Sequence, residues 1–283
     1  SKAISLGNEC DLTSADFLLY LGKDEETSVI GAYIEGIKDG KRFFDALREA
    51  SLKKPVILWK VGLTYAGAQA AASHTGALAC TKDIWNGIIQ QAGAIPVSGF
   101  EAWLDTIMGF AMLPSPLGDR IAIISGPGGL AVSAAEACAD NGLSLATLSD
   151  QTKADLAAVV PPTGTSLRNP VDVGLTASLD IEIYIQSIQA VMADPAVDAL
   201  VIIGTGLNEE SNKLYTDAII ETRRQSGKAM LMVNLPGFDS SHIPRFCDAS
   251  IPYFESSERA LKAYARVRSY QQWQKERRSA ERP

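Results

Sequence analysis

Only two of the 283 residues are histidines, and one of them, His74, stands in the run AAASHTGALA at positions 70–79. An imidazole changes charge near neutrality, so it can act as a nucleophile or carry a proton. Around it Ser73 and Thr75 offer hydroxyls, Gly76 a permissive backbone, and the alanines are small enough for a ligand to approach closely. Such a setting suits an oxyanion or a phosphoryl group. A histidine in an alanine-rich stretch also fits a helix position hydrogen-bonded to a carbonyl, and residue types alone leave both readings open. His242, in a Ser-Ser-His turn, lacks the small-residue frame and reads as a surface residue.

Three further places carry groups of use to such chemistry. Glu35 ends the β-branched run TSVIGAYIEG, and a carboxylate at the end of a parallel strand points into the ligand crevice; a solvated strand-end carboxylate is the plainer alternative. Ser125, Gly126, Gly128 and Gly129 form a glycine-rich turn between a strand and a helix, where backbone amides and the helix dipole favour an anion. That turn lacks the lysine of GxxxxGK[ST] and the spacing of GxGxxG, and close helix packing accounts for its glycines equally well. Gly7 and Asn8 lie in a second turn entering a helix, again either an anion site or a plain connection.

The elements that must hold these residues alternate regularly. Strands are expected at Ala3–Leu6, Thr27–Gly36, Val56–Trp59 and Ala94–Val97, with helices over Leu12–Leu21, Lys41–Ser51, Asp83–Ala92 and Glu101–Met112. Thr13 or Ser14 is the expected N-cap of the first helix. Alternation of this kind over residues 1–113 implies a doubly wound parallel sheet, with His74 shortly beyond a strand end, where open α/β sheets place ligands. Pro114, Pro116 and Gly118 mark a linker over 114–119. A second series follows over 120–270: strand Arg120–Ile124, helix Leu130–Asp140, strand Leu143–Leu148, a helix near Thr152 capped by Ser149, and the loop Pro161–Asp172. Helices Ile181–Met192 and Lys213–Ser226 separate strands Ala199–Gly204 and Ala229–Val233; Ile243–Phe246 and Ile251–Tyr253 complete the sheet before helix Ser256–Arg268. Residues 271–283 read as a charged, fraying tail.

Hydrophobic residues make up 46% and charged residues 21%, as for a soluble globular protein with a good core. A net charge of −7 without a basic, aromatic-interleaved cluster argues against nucleic acid as a partner. Cys10, Cys80, Cys138 and Cys247 show no metal-ligand spacing, and with no signal peptide or bilayer-length apolar stretch the expected setting is a reducing cytoplasm, with no membrane and no metal site. The opening SKAISLGN, without methionine and directly into strand-like sequence, suggests a piece of something longer.

The run KVGLTYAGAQAAASHTGALA resembles the phosphohistidine segment of the nucleoside-diphosphate-forming acyl-CoA synthetases, relatives of succinyl-CoA synthetase. SLGNECD, the glycine-rich turn at 125–129 and the NPVD stretch at Asn169, Pro170 and Asp172 extend that resemblance over almost the whole chain. It implies two flavodoxin-like domains and a reversible reaction of acyl-CoA, NDP and phosphate to carboxylate, NTP and CoA. It further implies that His74 is the transient phosphohistidine, that Glu35 orients it, and that Gly7, Asn8, Ser73, Thr75, Gly76, Ser125, Gly126, Gly128 and Gly129 surround the phosphate. Asn169 and Asp172 would shape their loop. CoA or acyl-CoA and ATP or ADP with Mg would be substrates of the complete enzyme, with no tightly bound cofactor in this segment. A CoA-binding domain and an ATP-grasp domain or subunit would be partners in an oligomer. Leu63 stands where the family commonly has an arginine, and Gln69 and Cys80 replace a usual arginine and glycine; losing two cations near a phosphate weakens its stabilisation. The alternative is a non-catalytic acyl-CoA or nucleotide sensor, as in synthetase-like domains fused to lysine acetyltransferases.

Overall fold

In a computed structural model the described residues are 1–64, 66–67, 69, 82–204, 208–234 and 240–280. The chain divides into two compact units, Ser1–Ala111 with Gln272–Pro283, and Met112–Gln271. Both are α/β, and every paired strand in both ladders is parallel.

The first unit holds α1 (Ser14–Lys23), β1 (Ile30–Ile34), α2 (Gly40–Lys53), β2 (Val56–Lys60), α3 (Lys82–Ala92), β3 (Ile95–Val97) and α4 (Phe100–Met112). Its sheet runs β1-β2-β3. Because strand side chains alternate, Ile30, Ile34, Val56 and Leu58 face a core with Leu18, Phe43, Leu47, Trp85 and Ile89 from α1, α2 and α3. The opposite face carries Gly31, and a Cβ there would stand 2.4 Å from Ile107 Cδ1 and 3.0 Å from Trp103, so α4 rests directly on the strand. Thr13 is the N-cap of α1, in a capping box with Asp16. Ala3–Leu6, expected as a strand, belongs to neither sheet and carries no regular secondary structure.

The second unit comprises β4 (Arg120–Ser125), α5 (Gly128–Asp140), β5 (Ser144–Leu145), α6 (Asp150–Val159), β6 (Val171–Asp172), α7 (Ile181–Ala193), β7 (Ala199–Ile203), α8 (Glu209–Ser226), β8 (Ala229–Val233), α9 (Ile243–Asp248), β9 (Tyr253–Phe254) and α10 (Ser257–Ala280), the last reaching beyond the unit's end at Gln271. Strand order is β5-β4-β7-β8-β9, with β6 beside β4. Every residue of β7 and β8 is buried, as strands covered on both faces require. Segment 114–119 is tied into this unit: Gln271 Nε2 donates to the Pro114 carbonyl (3.2 Å), the Leu117 amide donates to Gln271 Oε1 (2.8 Å), and Tyr264 Oη donates to the Gly118 carbonyl (2.9 Å).

Three further expectations differ from what is observed. Ile243–Phe246 is helix, not strand; Pro244 in its first turn fits a helix start, where the missing N–H costs nothing. Strand Leu143–Leu148 pairs only at Ser144–Leu145, because the Asn169 side chain takes over: its Oδ1 accepts from the Ile123 amide (2.9 Å) and its Nδ2 donates to the carbonyls of Ile121 (2.8 Å) and Ala146 (3.0 Å). The last helix continues to Ala280, so most of the expected tail is helical.

Candidate functional site

β1 delivers Glu35 to the carboxyl end of the first sheet, one residue past the strand, half-buried. Tyr33, two residues earlier on the same side of the strand, donates its hydroxyl to Glu35 Oε1 at 3.1 Å. Burial raises the Tyr33 phenol above its ordinary pKa, and the carboxylate beside it adds to the rise, so this hydroxyl stays protonated and donating. From the end of β2, Lys60 Nζ donates to the backbone carbonyls of Glu35 (2.8 Å) and Val61 (2.5 Å). This ammonium fastens the ends of β1 and β2 together where the chain departs for residues 70–81. Neither Tyr33 nor Lys60 drew notice in the sequence, although the i, i+2 spacing of Tyr33 and Glu35 on one strand face is a signal for the first.

His74, Ser73, Thr75, Gly76 and Cys80 lie outside the described residues. Their flanks are the end of β2 on one side and the start of α3 at Lys82 on the other. Leu63, in the position of the family's arginine, packs against the core of the first unit instead of facing outward with a charge. Gln69 is exposed.

Gly7 and Asn8 form an exposed turn, Gly7 at φ 55° and the following Glu9 at φ 53°. The expectation that this turn opens onto free helix amides is not met. Glu9 Oε1 accepts from the Ser14 amide (2.9 Å), and Asp16 closes the capping box, so protein carboxylates already occupy the start of α1. Lys38 Nζ donates to the Glu9 carbonyl (2.8 Å) and fixes the turn.

In the second unit, the glycine-rich turn has two packing reasons for its composition. A Cβ at Gly126 would stand 2.4 Å from Tyr184 Oη, which donates to the Ile203 carbonyl at 3.1 Å; a Cβ at Gly204 (φ 142°) would meet the same hydroxyl at 2.2 Å. Two backbones therefore close on one buried phenol. At Gly128 a Cβ would stand 2.4 Å from Asp172 Oδ2, placing this carboxylate beside the first turn of α5. Asp172 Oδ1 accepts from the Gly174 amide (2.9 Å), which shapes the loop as expected. Ser125 is fully buried, its hydroxyl donating to the Pro127 carbonyl (2.9 Å). Gly129 alone of the four is exposed with open space where a Cβ would point. The N-cap of α5 is Pro127, which gives no side-chain cap.

His242 is not a plain surface residue. It is half-buried at the N-cap of α9 and lines a small cavity with Asn212, Tyr215, Asn234 and Tyr253. Among the described residues no three His, Cys, Asp or Glu side chains are grouped so as to hold a metal ion, and no helix is long and apolar enough to cross a membrane.

Residues 1–110 match the succinyl-CoA ligase like flavodoxin domain, and residues 121–207 the ligase-CoA domain. The alpha subunits of ADP-forming acetate–CoA ligases I and II of Pyrococcus furiosus are 32% and 35% identical over 96% and 94% of this chain. The chain spans 59% of the length of each. Among solved structures, an acetyl-coenzyme A synthetase 1 of Ca. Korarchaeum cryptofilum in complex with phosphate and ADP is 28% identical with a TM-score of 0.83, covering 99% of this chain and 61% of that one. Two matched domains in this order, and likeness over nearly the whole length, identify the chain as a member of the nucleoside-diphosphate-forming acyl-CoA synthetase family, of which it spans the two flavodoxin-like ligase domains.

Proposed function

We propose that this chain is the phosphoryl-accepting part of an ADP-forming acyl-CoA ligase, with His74 as its transient phosphohistidine. The observation that carries the reading is Glu35 at the end of β1, its carboxylate accepting from Tyr33 and its backbone carbonyl accepting from Lys60 Nζ at the end of β2, from which the chain leads to His74. In the proposed sequence, phosphate attacks the thioester carbonyl of acyl-CoA, giving acyl phosphate and free CoA thiol. A neutral His74 ring nitrogen then attacks phosphorus; the P–O bond to the carboxylate breaks and a P–N bond forms. A terminal phosphate oxygen of ADP, brought as its Mg complex, takes the phosphoryl group and yields ATP, and the sequence runs backward from ATP. Splitting two energetic transfers at one covalent intermediate is the chemical gain.

Glu35 would accept the proton-bearing nitrogen of the His74 ring, leaving the other nitrogen as the nucleophile, as a carboxylate does in hydrolase triads. Tyr33, donating to the same carboxylate, holds it in place. Ser73, Thr75 and Gly76 and the Gly7–Asn8 turn would donate to the phosphate. CoA-binding and ATP-grasp domains or subunits would complete the enzyme, in an oligomer working in the cytoplasm. The sensor alternative leaves a nucleophile and its orienting carboxylate without a task.

The test uses the complete ligase and ATP labelled in its γ-phosphate. Label should remain on this chain, resist base, be lost in acid, and be absent in His74→Ala. Glu35→Gln should label at least 10-fold more slowly while binding nucleotide as before. A well-folded ligase that takes up no label would make this a synthetase-shaped binding module.

A further inference from the structure

Lys60 grips two strand ends at the point where their ladder stops. β1 and β2 keep register to Ile34 opposite Lys60, and the last ladder bond runs from the Val61 amide to the Ile34 carbonyl at 3.1 Å. Just past that bond, Nζ reaches the Glu35 carbonyl on one side (2.8 Å) and the Val61 carbonyl on the other (2.5 Å).

Two further lysines make the same kind of double contact, and for them the reason is structural. Lys54 donates to the carbonyls of Leu21 (2.8 Å) and Asp24, and Lys228 to those of Met192 (2.8 Å) and Asp194 (2.7 Å). Asp24 and Asp194 are the C-caps of α1 and α7, so these ammoniums satisfy the spare carbonyls and the negative dipole of a helix end. Neither Glu35 nor Val61 belongs to a helix end. Ordering a lysine costs more rotamer freedom than ordering most side chains, and what Lys60 orders is the backbone of Glu35, one residue beyond the hold of the ladder. The Glu35 side chain is fixed separately. Its Oε1 accepts from Tyr33 Oη at 3.1 Å, and among the described residues no donor meets Oε2. With the backbone and one oxygen held, the second oxygen keeps a set direction, as a carboxylate that must accept from an imidazole N–H requires.

We propose that Lys60 is a positioning residue of the phosphoryl transfer. By holding the Glu35 carbonyl from the end of β2 it sets where the Glu35 carboxylate meets the His74 ring, and it acts on the rate only through Glu35. This rests on His74 being the phosphorylated residue.

The test is a double-mutant cycle in the complete ligase, read as the single-turnover rate at which label from γ-labelled ATP reaches this chain. Lys60→Met keeps most of the stem and removes the ammonium; with Glu35 in place it should slow labelling about 10-fold or more and leave nucleotide affinity as it was. In a Glu35→Ala background the same change should slow labelling less than about 2-fold, because nothing is left to position. Equal slowing in both backgrounds would mean that Lys60 meets the phosphate or supports the fold on its own account, and a Lys60→Met ligase that labels at the unsubstituted rate would mean that it has no part in the transfer. Either result overturns the proposal. If Lys60→Met does not fold, Lys60→Arg takes its place in the cycle, with a loss of about 3-fold expected and the same dependence on Glu35. An unsubstituted ligase that takes up no label is a different outcome, which removes the phosphohistidine and this proposal with it.

Discussion

Tyr184 shows how much a single hydroxyl can dictate. Its ring meets Tyr215 edge-on at 5.5 Å, and its oxygen lies against two glycines. Burial pushes this phenol well above the ordinary tyrosine pKa, so it remains a donor to the Ile203 carbonyl at any working pH. Gly126→Ala should therefore destabilise the second unit by about 1–3 kcal/mol, the usual range for overpacking. Adding Tyr184→Phe, which removes the obstructing oxygen, should recover part of that loss. Urea unfolding of both single variants and the double variant measures the coupling; strictly additive effects would sink this account. The glycine-rich turn invited an anion-site reading from composition alone, and its packing partners Tyr184 and Asp172, 58 residues beyond Gly126 and 44 beyond Gly128, carry no local signal. Glu35 was legible because a strand end is a local feature, whereas Lys60 became visible only through the register of β1 on β2.

At the level of elements, alternation of apolar runs and amphipathic stretches located nearly every helix and strand, since periodicity is set by neighbours in sequence. Errors arose where a distant group decided. Asn169 ends the ladder of β5 on β4 by making three hydrogen bonds to Ile121, Ile123 and Ala146, and nothing in Leu143–Leu148 announces it. Asn169→Leu should cost the second unit about 2–4 kcal/mol, from three lost bonds and the polar atoms left unsatisfied. Asn169→Asp keeps the acceptor for Ile123 but confronts two carbonyls with a carboxylate, so it should be no milder. Chemical denaturation ranks them; a silent Asn169→Leu would show that water replaces the side chain. Ala3–Leu6 has strand-like composition but belongs to neither sheet, a reminder that a strand is a relation between two segments.

Over the whole molecule, stability should follow the carboxylates. The Lys2 ammonium and the Thr27 hydroxyl hold Asp24 below the usual range, and Arg120 does the same for Asp198. Burial pushes Asp194 upward, but the amides of Ser149 and Ala196 outweigh it and leave that pKa lowered. Each folded value thus lies below the unfolded one, so the stabilisation is present above about pH 4 and is lost as pH falls through the folded values. The urea midpoint should be nearly level from neutrality to about pH 5 and drop below about pH 4, less steeply in Asp198→Asn. A midpoint that holds or rises on acidification would contradict this reading. The α/β class with parallel sheets was legible from the sequence. That the chain returns at its end to the first unit was not, because residues 272–280 carry no mark of where they will lie.

That return bears on how the protein is made. A Cβ at Gly93 would stand 2.1 Å from the Trp273 ring, so this tryptophan closes on the loop between α3 and β3. On a ribosome all of residues 112–271 emerge before Trp273 does, and domains tend to fold as they emerge. The second unit can be whole while the first still awaits residues 272–280, so of these two units the one begun first is finished last.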